Sequence, residues 1–121
     1  MQNQNFKLKI KDRTYGYSVK IIEFLDILPK DSVTQVIAKQ LLRSATSVGA
    51  NIVEAQAGSS RKDFTNFMSH SLKSANESSY WLNLLKDAKK INSPQIDYLL
   101  AETKELASIL GSSILTLRTK G

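Results

Sequence analysis

The chain has 121 residues, 41% hydrophobic and 23% charged, with no cysteine and a formal net charge of +6. That length fits one compact domain with its own core, and the missing thiols exclude a disulfide framework and a thiolate metal site, which points to a reducing cytoplasm. Lys20, Glu23, Asp26 and Arg43 interrupt the apolar runs, so none reaches the roughly 18–20 residues of a membrane span, and Met1-Gln2-Asn3-Gln4-Asn5 carries no leader-like apolar segment.

In Phe6-Lys7-Leu8-Lys9-Ile10-Lys11, apolar and basic residues alternate with period two. This predicts an extended basic arm over residues 1–12 with its apolar side against the domain. A short edge strand or a frayed first helical turn gives the same pattern. From about residue 13 to residue 28 the period becomes helical. Tyr15, Val19, Ile22 and Leu25 form the expected core stripe, widened by Ile21 and Leu28, and Pro29 stops the helix.

Asp31-Ser32 opens a second helix, with Ser32 and Gln35 at capping-box spacing. Val33, Ile37, Leu41, Ala45, Val48, Ile52 and Ala55 carry it to Gly58, a residue type suited to a left-handed C-terminal turn. Gly49 in its interior costs about 1 kcal/mol relative to alanine, which a close approach of a neighbouring helix or a kink explains.

Ser59 or Ser60 caps a third helix, and Asp63 in its first turn complements the helix dipole. Phe64, Met68, Ser71, Ala75, Ser78, Leu82 and Leu85 step alternately by four and three, a heptad seam with a small-residue centre that lets a partner helix come close. Ser93-Pro94 starts a fourth helix, with Ile96, Leu99, Thr103, Leu106, Leu110, Ser113 and Leu117 as its inner face. Long amphipathic helices with short connections force antiparallel neighbours. The expected fold is all-α, an antiparallel up-down-up-down four-helix bundle over residues 13–121 with helices near 13–28, 32–57, 60–91 and 94–118.

The residues offer little to catalysis. The single histidine, His70, lies beside the third seam and reads as a boundary residue. One histidine cannot supply the paired Glu-x-x-His of di-metal bundles. Gly16, Gly49, Gly58, Gly111 and Gly121 are scattered rather than gathered into a phosphate loop, and no serine sits in a strand-turn-helix elbow. No catalytic residue, metal or cofactor is expected, and the chain reads as a binding protein.

A cationic surface draws polyanions, nucleic acid above all. In an up-down bundle the start of helix one, the end of two, the start of three and the end of four share one pole. That arrangement collects Lys7, Lys9, Lys11, Arg13, Arg61, Lys62, Arg118 and Lys120 against Asp12, Glu54 and Asp63. Such a pole can hold several phosphates with strong salt dependence, or form a solvated rim. A second feature is Arg43, Ser47, Asn51 and Glu54, stepping by four, four and three along one face of helix two. It reads as an exposed strip, a ligand strip or a polar network that sets helix register, the structural reading being preferred. Phe64, Phe67, Tyr80 and Trp81 follow helical spacing and suit a core or subunit contact better than base stacking.

The segment Gln40 to Phe64 (QLLRSATSVGANIVEAQAGSSRKDF) contains the ordered blocks Leu41–Ser44, Ser47–Ala55 and Ser60–Phe64, and Tyr80-Trp81-Leu82 and the long last helix follow. In these blocks the chain resembles the four-helix bundle proteins encoded within intervening sequences of bacterial 23S ribosomal RNA genes. The resemblance implies a homopentameric ring and carries over no catalytic residues. The accessory protein of diversity-generating retroelements is similar in fold, basic, and binds nucleic acid and a reverse transcriptase; by that analogy RNA or DNA is the expected partner. The alternative is a protein-interaction scaffold without affinity for polyanions.

Overall fold

The computed structural model describes residues 4–58 and 60–119. Four helices make up an all-α bundle: α1 (Gln4–Asp26), α2 (Ser32–Ala57), α3 (Arg61–Ala88) and α4 (Pro94–Thr119). Contacts at matched heights show that successive helices run antiparallel. Gln56 of α2 donates to the Lys7 carbonyl of α1, Ser71 of α3 donates to the Val48 carbonyl of α2, and Arg61 at the start of α3 reaches the Leu117 carbonyl near the end of α4. The α2–α3 contact is the most extensive and the α1–α4 contact the least.

The seam of α3 lies wholly in the core: Phe64, Met68, Ser71, Ala75, Ser78, Leu82 and Leu85 are all buried. Its small centre brings α2 close enough for Ser44 and Ser78 to share a 2.8 Å hydrogen bond. Ile96, Leu99, Thr103, Leu106, Leu110, Ser113 and Leu117 of α4 are likewise buried, together with Ile114. Ser93 Oγ accepts from the Ile96 amide at 3.3 Å, and Pro94 stands where no amide is needed.

The expected extended arm is instead the first two turns of α1, which begins at Gln4; residues 1–3 of that arm lie outside the described residues. The alternation over six residues hid the helical step Phe6–Ile10, which continues through Thr14, Tyr17, Ile21 and Phe24. Ile10 is buried and Phe6 packs on the core, so docking against the bundle selects the helix.

The buried face of α1 also differs from the expected one. Ile10, Thr14, Tyr17, Ile21 and Phe24 are buried, whereas Tyr15 (72% exposed), Val19 (40%) and Ile22 (45%) face outward. Two apolar stripes of helical period run along this helix, and Thr14 disguised the inner one as polar. Gly49 of α2 decides between them: a β-carbon there would sit 3.3 Å from both the carbonyl and the hydroxyl oxygen of Thr14, so glycine admits that face of α1. This is the close approach that a helix-interior glycine allows, and no kink is required.

Three boundaries differ in detail. Asp31, not Ser32, caps α2: its carboxylate accepts from the Thr34 amide at 3.1 Å, and Gln35 turns back to donate to the Pro29 carbonyl. Gly58 closes α2 in an extended conformation (φ −65°) rather than a left-handed one. The left-handed residue is Lys90 (φ 58°), past the end of α3, where the amides of Lys89 and Ile91 both reach the Leu85 carbonyl at 3.2 Å.

Candidate nucleic-acid interface

The antiparallel arrangement gathers the first turns of α1 and α3 with the last turns of α2 and α4 at one pole. Of the eight predicted cations, Lys7, Lys9, Lys11, Arg61, Lys62 and Arg118 come from these turns, with Asp12, Glu54 and Asp63 as the carboxylates among them. Lys120 lies outside the described residues.

Arg13 is drawn away from this group. Its Nε and Nη2 grip Glu102 of α4 at 2.8 and 2.7 Å, a two-pronged pair on the flank of the bundle rather than at its tip. That hydrogen bond raises the Arg13 pKa above its already high ordinary value. The cation is balanced on the spot, so Arg13 belongs to the α1–α4 contact.

The six that remain divide by what they touch. Arg61 Nη2 donates to the Leu117 carbonyl at 2.8 Å, one of the last α4 carbonyls without a helical partner. Lys7 Nζ stands 5.4 Å from the centre of the Phe64 ring, a cation–π contact that ties α1 to α3. Lys9, Lys11, Lys62 and Arg118 are exposed. Among the described residues none of the four ion pairs involves these six cations.

The opposite pole carries Lys30, Lys86, Lys89 and Lys90 against Glu23, Asp26, Asp31, Asp87 and Asp97, so its carboxylates offset its cations. Lys86 pairs with Asp97 at 2.6 Å and Lys89 with Asp31 at 3.1 Å. The Thr34 amide, then the Thr34 side chain and Lys89, hold the Asp31 carboxyl down at about 2. Bundle topology therefore leaves one end with an excess of cations over carboxylates and the other without one.

The α2 strip is not one network. Arg43 bridges to Glu77 of α3 and to Gln40, and Glu77 also accepts from the Trp81 indole at 3.0 Å. Asn51 bonds within its own helix, to the Ser47 carbonyl at 2.8 Å, and Glu54 is exposed near the basic pole. The strip thus splits into an α2–α3 tie and a separate helix-surface bond. His70 is exposed and meets Phe67 edge-on. Tyr80 is exposed while its neighbour Trp81 is half-buried, the division that adjacent positions on a helix impose.

Sequence reasoning placed the α1 stripe in the core and so missed a surface feature. Leu8, Tyr15, Val19 and Ile22 on α1 lie exposed, and a cleft of 430 Å³ lined in part by Tyr15, Thr46, Ala50 and Val53 runs between α1 and α2. The signal was present as a helix with apolar residues on two faces. Among the described residues no cluster of three metal-binding side chains occurs, and no helix is long and apolar enough to cross a membrane.

Comparison with known proteins agrees with this geometry. No functionally curated protein matches. A solved structure from Bacteroides thetaiotaomicron VPI-5482, described as a protein of unknown function from the S23 ribosomal protein family, is 37% identical; the match covers 89% of this chain and 96% of that one with a TM-score of 0.82. The 23S rRNA-intervening sequence protein family matches residues 6–112, nearly the whole bundle, and the chain belongs to that family.

Proposed function

We propose that this protein is a non-catalytic, self-associating bundle that binds RNA or DNA through its basic pole. The observation that carries the reading is the contrast between the two ends: among the described residues, cations outnumber Asp12, Glu54 and Asp63 at one and enter none of the ion pairs, whereas carboxylates offset the lysines at the other. A uniformly basic surface would have a bland explanation. A one-ended excess concentrates the field where phosphates can be met together. Side-by-side assembly of several copies would multiply that field into a ring, and the outward stripe of Leu8, Tyr15, Val19 and Ile22 offers apolar surface for such assembly.

The test is a salt-titrated binding assay with duplex and single-stranded RNA and DNA, alongside the mass of the protein in solution. With Lys9, Lys11, Lys62 and Arg118 engaged, log K should fall with log salt at a slope of about −3.6 per chain on duplex DNA. Lys62→Glu with Arg118→Glu should weaken binding and flatten the slope. Arg61 is a poor choice for this test, because its loss also uncaps α4. Absence of binding at low salt would sink the nucleic-acid reading.

The exposed α1 stripe also favours a second reading, a protein-interaction scaffold with no polyanion affinity. A defined oligomer that ignores nucleic acid at every salt concentration would select it, and a monomer at all concentrations would remove its support.

A further inference from the structure

Taking the basic pole as the phosphate-binding site, we infer that the α1–α2 cleft beside it receives an unpaired nucleobase on the Tyr15 ring, so that a single strand gains a contact that a duplex cannot make. The inference rests on the pole reading and on one row of side chains. Lys7, Lys11 and Tyr15 recur every four residues along α1, each step advancing about 6 Å, so two cations and a ring share one face of the helix.

The row borders two adjoining clefts. Nearest the pole, Lys7, Leu8 and Lys11 of α1 face Val53 and Gln56 of α2 across a cleft of 410 Å³. Lys11 and Val53 also line the next one, of 430 Å³, together with Asp12, Tyr15, Thr46 and Ala50. Both volumes fall within the roughly 300–1,000 Å³ of small-ligand sites. Tyr15 is 72% exposed, and among the described residues its ring meets no other ring and no cation. An open ring face beside cations is what holds a single strand by its bases, and one stacked base is worth about tenfold in affinity. The other rings near the pole are committed. Phe64 is 5% exposed with the Lys7 ammonium over it, Phe6 packs on the core, and Phe67 is half-buried against the core and edge-on to His70.

The polar groups of the Tyr15 cleft also suit a base. Thr46 donates its proton to the Leu42 carbonyl at 2.7 Å and Ser18 to the Thr14 carbonyl at 3.2 Å, so both hydroxyls offer only lone pairs to a ligand. The Asp12 carboxylate adds a further acceptor and repels phosphate, which leaves the backbone to Lys7 and Lys11. Acceptors match the exocyclic amines of adenine, cytosine and guanine. In a duplex those bases are paired and stacked, and none reaches the ring. Val19 and Ile22 of the exposed stripe line neither cleft, so they stay free for self-association.

The experiment uses the full chain and three probes with equal numbers of phosphates: a mixed-sequence DNA single strand, an abasic deoxyribose-phosphate strand and a duplex, with the mass in solution measured for each variant. The base-bearing single strand should bind about tenfold tighter than the abasic one. Tyr15→Ala should abolish that advantage while leaving the mass and the binding of the abasic strand and duplex unchanged, and Tyr15→Phe should keep it. Equal binding of base-bearing and abasic strands, or a Tyr15→Ala loss shared by all three probes, overturns this inference and leaves the basic-pole reading standing. A lower mass for Tyr15→Ala with the single-strand advantage intact marks the ring as a subunit contact and overturns it too. If no probe binds at low salt, the pole reading itself fails and takes the inference with it.

Discussion

Tyr17 of α1 and Thr103 of α4 share a buried hydrogen bond of 2.5 Å, and Thr103 fixes its polarity. The threonine hydroxyl has one proton, which goes to the Leu99 carbonyl at 2.6 Å, so the phenol donates and the threonine oxygen accepts. Tyr17→Phe removes a donor and leaves Thr103 satisfied, a loss of about 1 kcal/mol. Thr103→Val instead takes this acceptor from a buried phenol, leaving it only the Ser78 hydroxyl, and should cost more, about 2 kcal/mol. Urea unfolding of both variants checks the order; equal losses would contradict the assigned polarity.

The same phenol gives a pH signature. Burial, opposed by hydrogen bonds with Thr103 and Ser78, pushes the Tyr17 pKa from 10.0 up to about 12. The folded state therefore keeps a proton that the unfolded chain releases. This contribution is complete below pH 10 and is lost as pH rises from 10 to 12, at about 1.4 kcal/mol per pH unit. Stability measured at pH 8, 10 and 11 should show the wild-type advantage over Tyr17→Phe narrowing above pH 10. A constant gap would mean that the phenol is not desolvated.

Three helix-interior glycines should respond differently to alanine. Gly16 and Gly111 have no heavy atom within 4 Å of the added β-carbon, so each substitution should stabilise by about 0.5–1 kcal/mol. At Gly49 the β-carbon meets Thr14 at 3.3 Å, which offsets that gain, and Gly49→Leu should cost about 2 kcal/mol or more by forcing α1 off α2. Thermal unfolding of the set decides this; a stabilising leucine at 49 would refute the close approach.

Lys90 occupies a left-handed conformation (φ 58°) in the turn after α3. Lys90→Gly removes the β-carbon penalty and should stabilise by about 0.5–1 kcal/mol, slightly offset by the exposed bond from Lys90 Nζ to the Asp87 carbonyl. Calorimetry showing no gain would mean that the side chain holds the turn.

Asp31→Ala should lower Tm by a few degrees at neutral pH, because the α2 amide of Thr34 loses its acceptor. The Asp31 carboxyl is depressed from 3.8 to about 2 by that bond, so its contribution is present above pH 3.8 and disappears as pH falls through 2. The Tm difference between wild type and variant should close over that interval.

Helix number, the α3 and α4 core faces, the Ser93 cap and the identity of the cations were legible in the chain, because a single apolar stripe of period 3.6 has one way to meet a core, while the structure selected Ser60 over Ser59 as the α3 cap. Tertiary structure alone decided the face of α1. That helix carries two apolar stripes, and the choice depends on Gly49 admitting Thr14, a steric fit between residues 35 positions apart. Packing likewise decided that residues 4–12 are helical and that Arg13 answers Glu102 rather than joining the pole. A list of residues contains the charges, but only the folded distances between them determine which are neutralised and which stay available to a ligand.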